Sequence, residues 1–299
     1  MNYLPKVSVI IPTYNRSRLI SQAIKSVLNQ TYQNIEIIII DGSPNNKTEE
    51  GIKPYLSNPR VFYFHQEESH KGCGEDRANI AKARNKAINI SKGKYIAVLD
   101  DDDVWCDEKK LEKQVKFLEE HPDYVACGGG VIKIQQRDRR KPYIYDLPLE
   151  KDEEIRKNML LNCGMCTHST LMFKKDVGWR KAGGYSTKNP YNEDCEFMLR
   201  LGKFGKLYNF REYFTYFLIG EQNRPHWGKY GGKRMRCNIQ LIKQYRNDYP
   251  GYRKAILWAW IMYFYFFLPL ELQEFIRPIA SRVSRFIVTP LINKIFKSE

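Results

Sequence analysis

Four consecutive aspartates, Asp100–Asp103, carry the strongest chemical signal in the sequence. They follow the apolar run Ile96–Leu99, which is typical of a strand covered on both faces in a parallel sheet. Carboxylates crowded at a strand end repel one another, and a divalent cation among them would relieve that repulsion. In an extended backbone alternate side chains share a face, so we expect Asp100 and Asp102 to point together and Asp101 to point away. The simpler interpretation is a solvated acidic turn that leads into the next helix.

Strands and helices alternate around this acidic run and would position it. Strands are predicted at Val7–Ile11, Ile35–Ile40 and Val61–Phe64, and Pro12 is predicted to end the first. Helices are predicted from Ser17, from about Glu75 to Ile90, and after the acidic run, where Leu111, Val115 and Leu118 share one face. This order is typical of βαβ units, so the sequence predicts an α/β fold with a mostly parallel sheet flanked by helices. Ligands bind at the carboxyl ends of such strands.

Beyond Pro122 the periodicity is weaker. The sequence predicts strands at Tyr124–Ile134 and Thr170–Phe173, an exposed turn at Arg137–Lys141, and a helix at Glu193–Leu201. We therefore expect one domain over residues 1–218, with halves of about 1–122 and 123–218, and a distinct extension over 219–299.

Charge and cysteine content narrow the class of protein. The 299 residues carry a net charge of +15, of which +9 lies from Ile219 to the end, and such a basic segment favours a polyanionic surface, either lipid or nucleic acid. No RNA-binding or helix-turn-helix signature is present, so we expect no nucleic-acid partner. The seven cysteines are scattered, and the one CxxC pair, Cys163–Cys166, has no second pair with which to hold zinc. This pattern argues against a zinc site and favours free thiols in a reducing compartment.

The extension combines aromatic and basic residues. Ala255–Leu270 is uncharged and holds seven Trp, Tyr or Phe residues, but as a helix it would span about 24 Å, short of the roughly 30 Å hydrocarbon core. Farther on, an apolar stripe that includes Ile279 and Phe286 is flanked by Arg282 and Arg285. The pattern favours a helical extension that associates with an anionic membrane surface. The alternative is a helical pair packed on the first domain.

Several short motifs resemble those of glycosyltransferase family 2, in the family's order and spacing over about residues 5–215. They are Val7–Arg16, Ser26–Thr31, Asp41–Ser43, Ala83–Asn85, Gly93–Ile96 and Asp100–Trp105. The resemblance implies a Rossmann-like GT-A fold and an inverting, metal-assisted transfer from a nucleotide-sugar donor. It makes residues 1–122 the nucleotide-sugar half of a catalytic domain and residues 123–218 its acceptor half.

The resemblance places the donor against the first half of that domain. It implies that Pro12, Tyr14 and Asp41 hold the nucleotide and that Arg84 lies near the donor. A carboxylate at a strand end can accept hydrogen bonds from a base or ribose. The family usually has another aspartate directly before Asp41, where this chain has Ile40. From local sequence alone, Asp41 is equally well explained as a turn cap and Arg84 as a solvated helix residue.

Asp100 and Asp102 match the family's DxD-type pair. The resemblance implies that Asp102 is the ligand of Mn²⁺ or Mg²⁺, and that Asp100 contacts the donor sugar or ribose, with Asp101 also among the donor contacts. The donor diphosphate and water would supply the remaining metal ligands. For Asp101 and Asp103 a capping or supporting role is the simpler interpretation.

Asn192–Phe197 matches the family's acidic motif at a helix start, in which Asp194 is the implied catalytic base. An inverting transfer needs a carboxylate to take the proton of the acceptor hydroxyl while a metal stabilises the departing diphosphate. The resemblance places Glu193 and His168 on the acceptor side. The alternatives are carboxylates held at a helix N-terminus by its dipole, and a structural histidine.

We therefore expect an inverting, metal-dependent glycosyltransferase that adds one sugar to a lipid-linked or surface-glycan acceptor. The basic extension would hold it on the cytoplasmic face of the cell membrane, as a peripheral or monotopic protein. The alternative is a non-catalytic, glycosyltransferase-like scaffold at the membrane. Ile40 slightly favours the scaffold, whereas Asp102 and Asp194 both favour the enzyme.

Overall fold

The computed structural model describes residues 4–66, 78–135, 144–162, 164–189, 191–219, 227–269 and 272. The chain divides into two compact units. Met1–Ile155 and Gly164–Arg224 form the first, and Arg156–Cys163 and Pro225–Glu299 form the second.

Four parallel strands, in the spatial order β3-β2-β1-β4, form the first part of the sheet. They are β1 (Val7–Thr13), β2 (Ile35–Asp41), β3 (Val61–His65) and β4 (Tyr95–Val98). Every residue of β1, β2 and β4 is buried, as expected for strands covered on both faces. Because these strands are parallel and in register, their carboxyl ends meet at one edge of the sheet.

The first strand continues through Pro12, where the sequence predicted that it would end. Leu99 N–H donates to the Ile10 carbonyl at 3.2 Å, so the backbone groups of Ile10 face β4. Pro12, two residues on, faces the same side, but the pairing with β4 stops at Ile10 and Val98. The missing N–H of Pro12 therefore costs the ladder no hydrogen bond.

Helices cover this parallel part. They are α1 (Ser17–Leu28), α2 (Lys47–Leu56), α3 (Ala78–Ile90) and α4 (Lys110–Glu120). The apolar faces of α1 and α4 are buried as predicted, including Ile24 and Leu111. The helix α2 was not predicted, because it contains Gly51 and Pro54. The packing of α2 against α1 explains the glycine. A Cβ on Gly51 would lie only 2.8 Å from the Ser17 carbonyl oxygen, so only glycine lets α2 approach α1 this closely.

Five further strands extend the sheet in the order β4-β8-β6-β9-β5, with β7 paired to β6. They are β5 (Val104–Trp105), β6 (Tyr124–Gln135), β7 (Ile144–Asp146), β8 (Met172–Lys174) and β9 (Lys206–Ile219). Helix α6 (Glu193–Leu201) belongs to this half and has the predicted bounds, whereas α5 (Asp152–Asn162) begins in the first unit and belongs to the second from Arg156 on. Because β8 runs antiparallel to both β4 and β6, the sheet is mixed, and the predicted α/β class is confirmed.

The second unit contains α7 (Trp227–Gln244) and α8 (Tyr252–Tyr265). The helix α8 buries Ala255 and Ala259 and exposes Trp260 and Phe264. Within the described ranges, no helix is long and apolar enough to cross a membrane. The predicted turn at 137–141 and the basic amphipathic segment around Ile279 lie outside the described residues.

Candidate active site

The four aspartates Asp100–Asp103, here called the acidic loop, form a turn after β4 instead of continuing the strand. Asp103 N–H donates to the Asp100 carbonyl at 3.1 Å, which closes a turn over residues 101 and 102. The expected extended backbone is therefore wrong. Asp101 and Asp102 reach the same arginine, while Asp100 reaches a different one. In a turn the side chains no longer alternate between two faces, so the neighbours Asp101 and Asp102 can share one arginine.

Arg16 stands between β1 and α1 and reaches across to the acidic loop. Its Nη1 donates to Asp101 Oδ1 at 3.1 Å and also to Asp102 Oδ2. Thr13 Oγ1 donates to Asp101 Oδ2 at 2.7 Å. Burial raises the pKa of Asp101 to about 7 although Arg16 opposes the rise, and burial also raises the pKa of Asp102. Arg16 therefore compensates only part of the negative charge in this loop.

Asp103 faces the protein interior, which agrees with a supporting role. It is buried and accepts a hydrogen bond from Ser169 Oγ. Ser169 also holds the loop at two other points: its Oγ accepts from Asp100 N–H at 3.1 Å, and its carbonyl accepts from Trp105 Nε1 at 2.8 Å. Burial raises the pKa of Asp103 well above its ordinary value. Sequence reasoning missed Ser169, which is separated from Asp103 by 66 positions.

Arg84 joins the acidic loop to the start of α6. Its side chain is 3% exposed; Nη2 donates to Asp100 Oδ1 at 2.8 Å and Nη1 donates to Glu193 Oε1 at 3.1 Å. Burial opposes the charge, but Asp100 and Glu193 raise the pKa of Arg84, so it remains protonated. The interpretation as a solvated helix residue is wrong. Its predicted contact with a donor stays a prediction.

A tyrosine that sequence reasoning missed supports Arg84. The guanidinium carbon of Arg84 lies 5.3 Å from the centroid of the Tyr185 ring, within cation–π range. Asn85 fixes the backbone of Tyr185 at both polar groups: its Nδ2 donates to the Tyr185 carbonyl at 2.8 Å, and its Oδ1 accepts from Tyr185 N–H at 2.7 Å. The predicted motif Ala83–Asn85 thus contributes two adjacent residues to this arrangement.

His168 completes this cluster on the side of Tyr185. Its Nε2 lies 2.8 Å from Tyr185 Oη, and its Nδ1 is buried with no hydrogen-bond partner among the described residues. Burial, followed by the charge of Arg84, lowers the pKa of His168 to about 4, while Asp194 and Asp100 oppose that change. The histidine is therefore neutral at pH 7, and the two carboxylates lie within electrostatic range of it.

Glu193 and Asp194 open α6, as predicted. Glu193 is buried against Arg84, whereas Asp194 is half-buried and accepts a hydrogen bond from Cys195 N–H at 2.8 Å. The first turn of a helix favours ionised carboxylates. Asp194 therefore combines partial exposure with a place in the first turn of a helix, where a proton-accepting carboxylate is favoured.

The residues assigned to the nucleotide lie at the ends of β1 and β2, beside the acidic loop. Pro12 is buried and Tyr14 half-buried. Asp41 is buried; its Oδ1 accepts from Ser43 N–H at 2.8 Å and its Oδ2 from Tyr63 Oη at 2.9 Å. These bonds agree with the turn-cap interpretation of Asp41, and its contact with a nucleotide stays a prediction. A carboxylate has further lone pairs with which to accept a ligand donor.

The structure thus brings most of the predicted site residues to one edge of the sheet. Direct contacts link Thr13, Arg16 and the acidic loop, and Arg84 continues the chain of contacts to α6. In the part of the chain that the structure describes, no three His, Cys, Asp or Glu side chains are grouped so that they could hold a metal ion by themselves. Any metal here would need ligands from a bound molecule or water.

Comparisons with known proteins agree with this arrangement. The family model described as "Glycosyl transferase family 2" matches residues 8–180. The chain is 34% identical over 202 residues to an uncharacterised glycosyltransferase of Methanocaldococcus jannaschii, a match that covers 66% of this chain and 64% of that protein. It is 31% identical over 163 residues to the putative teichuronic acid biosynthesis glycosyltransferase TuaG of Bacillus subtilis, covering 54% of this chain and 61% of TuaG. The chain thus spans less than two thirds of either relative.

A solved structure shows the same fold. The mannosyltransferase PcManGT of Pyrobaculum calidifontis, in complex with GDP-Man and Mn²⁺, superimposes with a TM-score of 0.59 at 16% sequence identity. The superposition covers 100% of this chain and 89% of PcManGT. The predicted GT-A-like fold is confirmed by this likeness.

Proposed function

Since the chain belongs to glycosyl transferase family 2, we propose that it transfers one sugar, with inversion and with a divalent metal, from a nucleotide sugar to a lipid-linked or surface-glycan acceptor. The Arg84 bridge carries this proposal. It joins Asp100, in the loop assigned to donor and metal, to Glu193, which precedes the implied base Asp194. A single guanidinium thus connects the residues that would stabilise the leaving group with those that would activate the acceptor.

The donor would lie along the ends of β1 and β2. Pro12, Tyr14 and Asp41 line this edge, and the register pairs Thr13 with Asp41. Thr13 also donates to Asp101, so the nucleotide side and the acidic loop are held together by one side chain. The GDP-Man bound to PcManGT supports a nucleotide-sugar donor for this chain as well.

The acidic loop fits a divalent cation. Asp100 and Asp102 offer carboxylate oxygens, which Mg²⁺ and Mn²⁺ prefer, and their side chains are 31% and 16% exposed, so a ligand can approach them. Burial raises the pKa of Asp102 although Arg16 opposes the rise, and the charge of Asp100 adds to it, so a bound cation would favour the ionised form of Asp102. Asp102 would hold the metal with Asp100 beside it. When bound, Mn²⁺ or Mg²⁺ would stabilise the negative charge on the departing diphosphate.

Asp194 would take the proton from the acceptor hydroxyl. It is the more exposed of the two carboxylates that open α6, because Glu193 is occupied by Arg84. Glu193 would therefore position Arg84, and His168, neutral and hydrogen-bonded to Tyr185, would line the acceptor side. Removing such a base typically lowers turnover about 10²–10⁴-fold.

The acceptor class and the location rest on the second unit. The helix α8 exposes Trp260, Phe264 and other large apolar side chains, and Arg253 and Lys254 lie in its first turn. Aromatic and basic residues together favour an anionic membrane surface, here the cytoplasmic face of the cell membrane. The TuaG relative, by its name a teichuronic acid biosynthesis enzyme, supports a surface-glycan acceptor.

A panel of UDP- and GDP-sugars, screened with Mn²⁺ by thermal shift and then by donor turnover, tests the proposal. We expect one donor class to raise the free energy of unfolding by RT ln(1 + [L]/Kd), and with it the melting temperature, and to be consumed. Asp102→Asn should abolish the Mn²⁺-dependent turnover. Donor binding without any turnover would favour the non-catalytic scaffold, and turnover that persists in excess chelator would refute the role of the metal.

A further inference from the structure

Arg16 places a positive charge where the proposed function puts the metal. Its side chain is 30% exposed, and its Nη1 donates both to Asp101 Oδ1 at 3.1 Å and to Asp102 Oδ2. Asp102 is the residue assigned to the divalent cation. A guanidinium and a metal ion at the same carboxylate repel each other, so each weakens the binding of the other to Asp102.

The two carboxylates that Arg16 contacts are not equally dependent on it. Asp101 has a second donor in Thr13 Oγ1 at 2.7 Å, and its side chain is more buried than that of Asp102. Asp101 can thus retain a partner if the guanidinium moves. Among the described ion pairs, Arg16 is the cation recorded on Asp102, whereas Asp100 is paired with the buried Arg84. The contact between Arg16 and Asp102 is therefore the exchangeable one.

The local backbone supports such an exchange. Arg16 directly precedes α1 and follows Asn15, which adopts the left-handed conformation with φ 52°. Asn15 N–H donates to Ser43 Oγ at 2.8 Å, so the backbone before Arg16 is anchored while its long side chain extends from the helix start. Arginine binds phosphate in a bidentate manner as well as it binds carboxylate. An arriving diphosphate would thus offer the guanidinium another anion.

We propose that Arg16 acts as an internal counter-ion that occupies Asp102 when no donor is bound and releases it to the metal when a nucleoside diphosphate arrives. The inference rests on the proposed function, because it takes Asp102 as the metal ligand. It makes metal and nucleotide binding reciprocally coupled: each strengthens the other. The free protein would bind Mn²⁺ weakly, and the nucleotide complex would bind it tightly.

Mn²⁺ binding, followed by the loss of the free-ion electron paramagnetic resonance signal, tests this coupling on the full chain without any turnover. We expect the wild type to bind Mn²⁺ about tenfold or more tightly with UDP or GDP, whichever it binds, than without a nucleotide. Arg16→Gln should bind Mn²⁺ alone about tenfold more tightly than the wild type, because the competing charge is gone. Its gain from the nucleotide should be correspondingly smaller.

Two variants control for changes that are unrelated to the contact. Arg16→Lys keeps the charge and should keep the weak binding of Mn²⁺ alone, whereas Arg18→Gln removes an exposed charge nearby on α1 and should match the wild type. Circular dichroism establishes that each variant is folded. If Arg16→Gln is folded and binds Mn²⁺ alone no better than the wild type, Arg16 does not compete with the metal.

Asp102→Asn separates this failure from that of the proposed function. If Mn²⁺ binding to the nucleotide complex is lost in Asp102→Asn, but Arg16→Gln binds Mn²⁺ without nucleotide no better than the wild type, the metal assignment stands and only the competition is refuted. If Asp102→Asn binds Mn²⁺ as the wild type does, or no protein binds Mn²⁺ under any condition, both the metal assignment and the competition fall.

Discussion

The Arg84 bridge gives the sharpest prediction about the site. Arg84→Met keeps the length of the side chain but removes the charge that links Asp100 to Glu193. Removing one partner of a buried ion pair costs about 3–5 kcal/mol, because the other charge is left buried and unpaired. Asp100 is partly exposed and can return to water, whereas the Glu193 side chain is only 10% exposed. One orphaned carboxylate points to the lower end of that range, about 3 kcal/mol.

Urea unfolding followed by circular dichroism measures this loss of free energy directly, and thermal unfolding measures the corresponding change in melting temperature. In a domain of about 150–250 residues each kcal/mol lowers the melting temperature by about 2–4 °C, so Arg84→Met should melt about 6–12 °C below the wild type. Arg18→Met is the matched control: it removes an exposed arginine and should change the free energy of unfolding by less than about 0.5 kcal/mol.

A double variant distinguishes the orphaned charge from lost packing. In Arg84→Met/Glu193→Gln the buried carboxylate is gone, so about half or more of the lost stability should return. Turnover should stay low, because the link between the acidic loop and α6 is still broken. The reasoning is refuted if Arg84→Met unfolds within about 1 kcal/mol of the wild type. If the double variant regains nothing, the cost comes from packing against Tyr185 and not from charge.

Three other outcomes follow from the described contacts. Asp194→Asn should lower turnover about 10²–10⁴-fold with donor affinity near normal, and a loss of only a few-fold would transfer the role of base to another group. Burial lowers the pKa of Lys110 from 10.5 to about 7, although its Nζ donates to Gln114 at 2.7 Å and lies 4.0 Å from the centroid of the Trp105 ring. The wild type should therefore gain stability in urea unfolding as the pH rises from about 7 towards 10.5, and Lys110→Met should lack that gain. The same pH dependence in both proteins would contradict this. Trp260→Ser/Phe264→Ser should reduce co-sedimentation with anionic vesicles, and high salt should weaken wild-type pelleting only partly, since apolar burial is not screened; negligible pelleting of the wild type would end the membrane assignment.

Local sequence was sufficient to predict the strands that are buried along their whole length. The runs that form β1, β2 and β4 are predominantly apolar, and a segment of that kind is typical of a strand buried on both faces in a parallel sheet. The acidic loop and the acidic start of α6 could likewise be located from sequence, because the residue types and their order are themselves the signal. The family motifs added roles for these residues but no geometry.

Elements that depend on a distant partner were missed. The 14-residue strand β9 mixes aromatic and charged residues without clear alternation, and its pairing with β6 decides its conformation. Gly129 of β6 shows the reason: a Cβ there would lie 2.4 Å from the Phe214 ring, so the packing of β6 against β9 requires glycine at this position. The sequence of either strand alone does not indicate that requirement. The helix α2 is similar, because its approach to α1 depends on Gly51.

The pairing of charges was decided only by the tertiary structure. Arg16 and Asp101 are separated by 85 positions, and Arg84 and Glu193 by 109, so no local pattern relates them. Periodicity reports which face of a segment is buried, whereas an ion pair depends on the distance between two side chains after the chain has folded. The sequence by itself determined that carboxylates would crowd at the end of β4. The fold decided which arginine reaches which carboxylate: Arg16 reaches Asp101 and Asp102, and Arg84 reaches Asp100. Arg16 follows β1 and Arg84 lies on α3, and only the folded chain brings these two arginines to the end of β4.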